Sequence, residues 1–194
     1  QEGWISVANV NVSSSNLLTS STLQSAPCGQ TASFCLAADG TDITKPYNVV
    51  SGTSYYWPGS GTSYAAPMVS GSMALLAEHF PNHNVEKLVD RLLASANNEL
   101  GFSQTGTVTF GNGVVHGYSN EAGHGMLDIY AALQPITTSS SARNQIYAGS
   151  SSLGQSAFSL DSTRANLSRS FGDALEIGLA NTNTYFYDAL DGGF

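Results

Sequence analysis

The feature that most constrains this chain is a row of small and apolar residues running from Gly61 to Ala77. So few polar positions leave no solvent face, and the row is expected to form a helix buried nearly all round. Pro67 is compatible with a helix that begins near Tyr64, because a first-turn proline gives up an N–H that has no intrahelical acceptor anyway. Ser63 then stands at the N-terminal mouth of that helix. There, unpaired backbone N–H groups and the positive end of the helix dipole can stabilise an oxyanion. Gly61, Ala65 and Ala66 leave room for another backbone to approach. This is the setting a nucleophilic serine requires. Serine is equally a favoured N-cap, so spacing alone leaves a purely structural role open.

Taken in order, Gly61-Thr62-Ser63-Tyr64-Ala65-Ala66-Pro67-Met68-Val69-Ser70-Gly71 resembles the nucleophile motif of subtilisin-like serine peptidases, Gly-Thr-Ser-x-Ala-x-Pro-x-Val-x-Gly. It is not the Gly-x-Ser-x-Gly elbow of lipases, because Ala65 stands where the second glycine would be. The resemblance implies an α/β fold, a mostly parallel sheet with helices on both faces, of which this chain carries the C-terminal part plus a small extension. It implies that Ser63 attacks a peptide carbonyl, that its own N–H and the Thr62 hydroxyl hold the oxyanion, and that Gly61 keeps the approach open. In this family the aspartate and histidine precede the serine in the chain. The resemblance therefore places both partners, and the oxyanion asparagine, before Gln1. The expectation is a secreted or surface endopeptidase needing no cofactor, acting on peptide or protein substrates. This chain would work together with an upstream fragment of the same precursor, separated from it by one cleavage. The competing readings are a catalytically dead subtilase-like protein that keeps the motif but binds rather than cleaves, and an adhesive surface passenger.

A second serine must be set against Ser63. Ser51-Gly52-Thr53-Ser54-Tyr55 repeats Ser60-Gly61-Thr62-Ser63-Tyr64 nine residues earlier. Tyr55, Tyr56, Trp57 and Pro58 follow it, too bulky for a close-packed helix, so Ser54 is not expected to be the nucleophile. These aromatics belong to a loop over residues 47–60, where they either line a substrate cleft or pack beneath the loop.

Only 10% of the residues are charged, against roughly a quarter in ordinary soluble domains. Ser, Thr, Gly and Asn fill the difference, which fits an exported protein. A formal charge of −8 argues against nucleic acid and anionic membrane surfaces as partners. No apolar run is long enough for a membrane-spanning helix. Cys28 and Cys35 do not match a Cys-x-x-Cys site, and no other cysteine exists to complete a metal cage. In an exported chain such neighbours are expected to pair; two free buried thiols are the alternative. Asp39 and Asp42 sit on one turn and read as turn chemistry, so no metal is assigned and structural calcium is not indicated.

The remaining elements follow from periodicity. Residues 4–12 read as a buried strand, 13–21 as a polar loop, and 34–38 as a second apolar strand. Pro81 ends the helix that follows Ser63. Asn84 caps another whose Val85, Leu88, Val89, Leu92 and Leu93 share one face. His79 and His83 read as surface residues at a helix end. Asn112-Gly113 marks a hairpin turn between residues 107–110 and 114–116. Residues 123–133 resemble the segment that closes subtilase catalytic domains. His124 there is rejected as the base, since the family's histidine lies in His-Gly-Thr-His before the serine.

A Thr/Ser linker at residues 137–141 divides the chain into a peptidase part, 1–136, and an extension, 137–194. Within the extension Phe171, Leu175, Gly178 and Leu179 share a helical face. Residues 171–175 and 187–194 resemble the stretch joining a passenger to the β-barrel of bacterial autotransporters. The Cys28–Cys35 bracket resembles that branch too, and implies a cell-surface or outer-membrane location.

Overall fold

The computed structural model describes residues 3–12, 22–98, 101–136 and 187–194, with the backbone alone of 145–147 and 157–159. The linker, the helical face around Phe171 and the polar loop at 13–21 lie outside the described residues. The chain is mixed α/β, as expected for part of a subtilisin-like domain, and its sheets are small.

The centre is a parallel pair. β1 (Ser6–Val10) lies beside β2 (Cys35–Asp39), in register from Ser6 opposite Cys35 to Val10 opposite Asp39. β1 is shorter than the sequence suggests, and Trp4 lies outside it, 73% exposed. Period-two alternation sorts the pair's side chains. Leu36 and Ala38 join the main core with Ile5 and Val7, against the helix α1 (Thr62–His79). Ala8, Cys35, Val10 and Ala37 face the opposite way, into two smaller clusters. A short 3-10 turn (Gly29–Phe34) connects Cys28 to β2, and the two cysteines are joined as a disulfide.

The segment at 47–60 is not a loop. Ile43–Val50 (β3) and Thr53–Gly59 (β4) form an antiparallel hairpin with Val50 opposite Thr53. Its turn residues Ser51 and Gly52 have φ of 51° and 79°, the left-handed pair that a two-residue hairpin turn needs. Serine rarely adopts that conformation, which is why the turn is hard to see in sequence. Tyr47, Tyr55, Tyr56 and Trp57 are exposed, so they do not pack beneath a loop; Tyr47 and Trp57 contact each other across the ribbon.

α1 departs from expectation twice. It begins at Thr62, so Pro67 lies inside the helix and not in its first turn. It is also buried on one face only, through Ala65, Val69, Ser72 and Leu76. Met68 and Leu75 stay 39% and 53% exposed. Small side chains show that a helix can be approached closely on all sides, but not that a partner covers every side.

α2 (Val85–Ala94) carries its apolar face as the periodicity predicts, with Leu88, Val89, Leu92 and Leu93 buried and Asn84 Oδ1 accepting the Lys87 N–H. Val85 is the exception at 58% exposed. β5 (Gly106–Thr109) and β6 (Val115–Tyr118) form the expected second hairpin, with Asn112 and Gly113 both at positive φ. A short helix, α3 (Ile129–Ala132), follows, capped by Asp128.

Residues 187–194 fold back onto α2. Arg91, fully buried, pairs with the fully buried Asp188 at 2.6 Å. Arg91 also donates to the carbonyls of Ala132 and Gln134 and lies over the Phe80 ring. Asp188 accepts the N–H groups of Ile136, Leu190 and Gly192. His83, read as a plain surface residue, sits with Nε2 3.1 Å from Leu190 O. Its role depends on long-range packing that the sequence does not display.

Candidate active site

Ser63 is the second residue of α1, behind Gly61 as the N-cap. Gly61 has φ +147°, a conformation open to glycine and strained for other residues. Its carbonyl accepts the N–H groups of Tyr64 and Ala65 at 3.0 and 3.3 Å. The N–H groups of Thr62 and Ser63 therefore have no acceptor within the helix, as the geometry of a helix start requires. Pro67 adds a further effect. It stands four residues after Ser63 and has no N–H to donate to the Ser63 carbonyl.

Two elements frame this turn. Gly40, just after β2, accepts the Gly61 N–H at 2.9 Å. On the other side the base of the β3–β4 hairpin meets Tyr64. A Cβ on Gly59 would lie 2.6 Å from the Tyr64 hydroxyl, and Lys45 Nζ stands 5.6 Å from that ring's centre. The Ser60 hydroxyl accepts the Asp42 N–H at 3.0 Å, closing the hairpin's base. The aromatic ribbon is thus attached directly beside Ser63. Ser54 lies out on that ribbon in β4, opposite Val49. The repeated Ser-Gly-Thr-Ser tetrapeptide leads into a strand in one copy and a helix in the other.

The Ser63 side chain is exposed, and no described residue hydrogen-bonds its Oγ. Each histidine has another place. His79 ends α1, roughly 24 Å along the axis from Ser63 at 1.5 Å per residue. His124 is fully buried, with Nε2 3.1 Å from Ser33 O and Nδ1 3.0 Å from His116 Nδ1. Burial pushes its pKa down to about 4; the hydrogen bond to Ser33 opposes this and the charge of His116 adds to it. Such a ring stays neutral in a closed pocket. Among the described residues, then, the site holds a hydroxyl and two free N–H donors, with no base on the hydroxyl.

Asp39 serves its own turn, accepting the N–H of Thr41 at 3.0 Å and that of Val12 at 3.4 Å. Among the described residues no three His, Cys, Asp or Glu side chains converge as metal ligands. The residues that sequence reasoning passes over are Asn9 and Gly40, which hold Gly61 from below. One sign of Asn9 was available: it falls on the same strand face as Ile5 and Val7, an amide where the pattern calls for an apolar side chain.

The Subtilase family model matches residues 1–125, a span that includes β1, β2, the aromatic hairpin and α1. The chain is also similar to an extracellular serine protease of Serratia marcescens. They are 33% identical over an alignment of 96 positions that covers 40% of this chain and 9% of that protein. The alignment therefore takes in less than a tenth of the length of that relative.

Proposed function

Since this chain belongs to the Subtilase family, we propose that it is the nucleophile-bearing part of a serine endopeptidase, with Ser63 as the nucleophile. The observation that carries this reading is the first turn of α1. It presents an exposed hydroxyl at a glycine-capped helix N-terminus, beside N–H groups that have no helical acceptor. In the reaction Ser63 Oγ attacks the peptide carbonyl carbon while a histidine takes its proton. The carbonyl oxygen becomes an oxyanion that the Ser63 N–H and the Thr62 hydroxyl would hold. The C–N bond then breaks as the histidine returns the proton to the leaving amine, and water hydrolyses the acyl-serine by the reverse transfers.

The histidine and its orienting aspartate are proposed to come from polypeptide preceding this chain, docked on the free face of α1. The exposed Met68 and Leu75 on that face support this. The relative's description as extracellular, the Cys28–Cys35 disulfide and the low charge content support export. Placement at the cell surface is proposed on the sequence resemblance alone, and a boundary after residue 136 on the Thr/Ser run at 137–141 alone.

The test uses the full-length protease that contains this chain. The Ser63→Ala variant should lose both fluorophosphonate labelling and peptide cleavage, and Ser54→Ala should keep both. Cleavage surviving Ser63→Ala would overturn the assignment. A folded wild type that neither labels nor cleaves would replace it with the binding passenger.

A further inference from the structure

Asn9 lies on the face of β1 that meets α1, and its neighbours on that face, Ile5 and Val7, pack against the cluster containing Ala65 and Val69. It is 0% exposed. Its backbone N–H donates to Ser25 Oγ at 2.9 Å, and its carbonyl accepts the Gln24 N–H at 2.8 Å. Its side-chain Oδ1 accepts the Gly40 N–H at 2.7 Å. That contact fixes which end of the amide is oxygen, since a backbone N–H needs an acceptor. The other end, Nδ2, is a buried donor with no partner among the described residues. Such a donor costs about 1–3 kcal/mol, which an apolar side chain here would avoid. What asparagine supplies in return is the acceptor for Gly40.

Gly40 is the bearing on which the start of α1 rests. A Cβ there would lie 2.5 Å from Gly61 O, 2.6 Å from Ala65 N and 2.8 Å from Asn9 Oδ1. The helix's first turn therefore sits directly on the glycine backbone. Gly40 O in turn accepts the Gly61 N–H at 2.9 Å. A glycine with no side chain to hold it is free to rotate, and so a bearing made of glycine needs pinning from elsewhere. Asn9 pins its N–H while Gly61 engages its carbonyl.

We infer that Asn9 is a positioning residue for Ser63, acting through Gly40 and Gly61 to hold the first turn of α1 in the orientation that presents the serine hydroxyl and its N–H. The inference rests on Ser63 being the nucleophile. Asn9 is buried beneath the turn and its side-chain hydrogen bond among the described residues is with Gly40, so its loss should misplace reacting groups without removing a substrate contact. A misplacement of about 1 Å can slow such a reaction on the order of 100-fold.

The experiment compares Asn9→Leu, which has similar volume and no acceptor, with Asn9→Asp, which keeps an oxygen for Gly40, in the full-length protease. Values of kcat are expressed per folded molecule, with the folded fraction taken from circular dichroism. The expected result for Asn9→Leu is a fall in kcat of roughly tenfold or more with KM within about twofold, since reacting-group geometry and not binding is lost. Fluorophosphonate labelling of Ser63 should slow by the same factor. Asn9→Asp should recover most of both rates. Asn9→Ala makes the same comparison if Asn9→Leu does not fold. Wild-type kcat in a folded variant lacking the acceptor overturns the inference, as does an Asn9→Asp enzyme as slow as Asn9→Leu. A wild-type protease that neither cleaves nor labels removes the reading of Ser63, and this inference with it.

Discussion

At the scale of single residues, burial changes the chemistry of His124 more than any motif does. Its folded pKa of about 4 lies below the ordinary 6.5. In the unfolded chain the ring takes up a proton near pH 6.5, whereas in the fold it resists protonation to about pH 4. The unfolded state thus binds more protons between those values, and stability falls as pH is lowered through that window. The full effect is present above pH 6.5 and amounts to roughly 3 kcal/mol for a shift of this size. Urea unfolding of the whole protein at a series of pH values should show this slope, and His124→Phe should flatten it. A slope unchanged by the substitution would place the titration elsewhere. Arg91 and Asp188 show a different use of burial: both side chains are wholly buried, and each is held by backbone partners as well as by the other. Neither can be recognised as buried from its sequence neighbours.

At the scale of elements, the two hairpins show which turn chemistry can be read in advance. Asn112-Gly113 is a favoured left-handed pair and marks its turn openly. Ser51-Gly52 adopts the same conformation with a less suitable first residue, and the run of exposed aromatics after it resembles a loop until the strand pairing is seen. The 3-10 turn between Cys28 and Cys35 holds one buried residue, Ala32, and the disulfide closes it onto the first residue of β2. Thiol counting on the denatured, unreduced protein should find neither cysteine free. Replacing both by serine should lower unfolding stability by about 2–3 kcal/mol, the chain-entropy value for so short a loop. An unchanged stability would mean that the turn is held by packing alone.

At the scale of the molecule, the uncovered side of α1 is the largest departure from what the sequence suggests. A helix of this composition is suited to burial on every side, yet Met68, Ser70, Gly71, Ala74 and Leu75 remain open among the described residues. Exposed apolar contact surface forfeits on the order of 25 cal/mol for each Å² left in water. The proposed remedy is an upstream polypeptide that covers α1 and brings the histidine to Ser63. Expressed with that polypeptide, this chain should co-purify through a tag on either piece and gain peptidase activity that neither piece has alone. Substituting Leu75 by Glu should weaken the association. Full activity of the isolated chain, or an upstream piece that never co-purifies, would count against the proposal.

The sequence alone determined the family resemblance of residues 61–71, the α/β class, the capped helix after Asn84, the Asn112-Gly113 turn and the pairing expected of Cys28 and Cys35. These are local matters, set by side-chain chemistry over a few neighbouring residues or by periodicity along one element. The tertiary structure decided where α1 starts, which of its faces is covered, that Asn9 and Gly40 support Gly61, and that residues 187–194 return to Arg91. Each of these depends on groups far apart in the chain: Asn9 and Gly40 are separated by 31 positions, and Arg91 and Ala132 by 41. A buried polar group reports a partner that its neighbours in sequence do not name, because the hydrogen bond that makes its burial tolerable is formed only when distant segments pack.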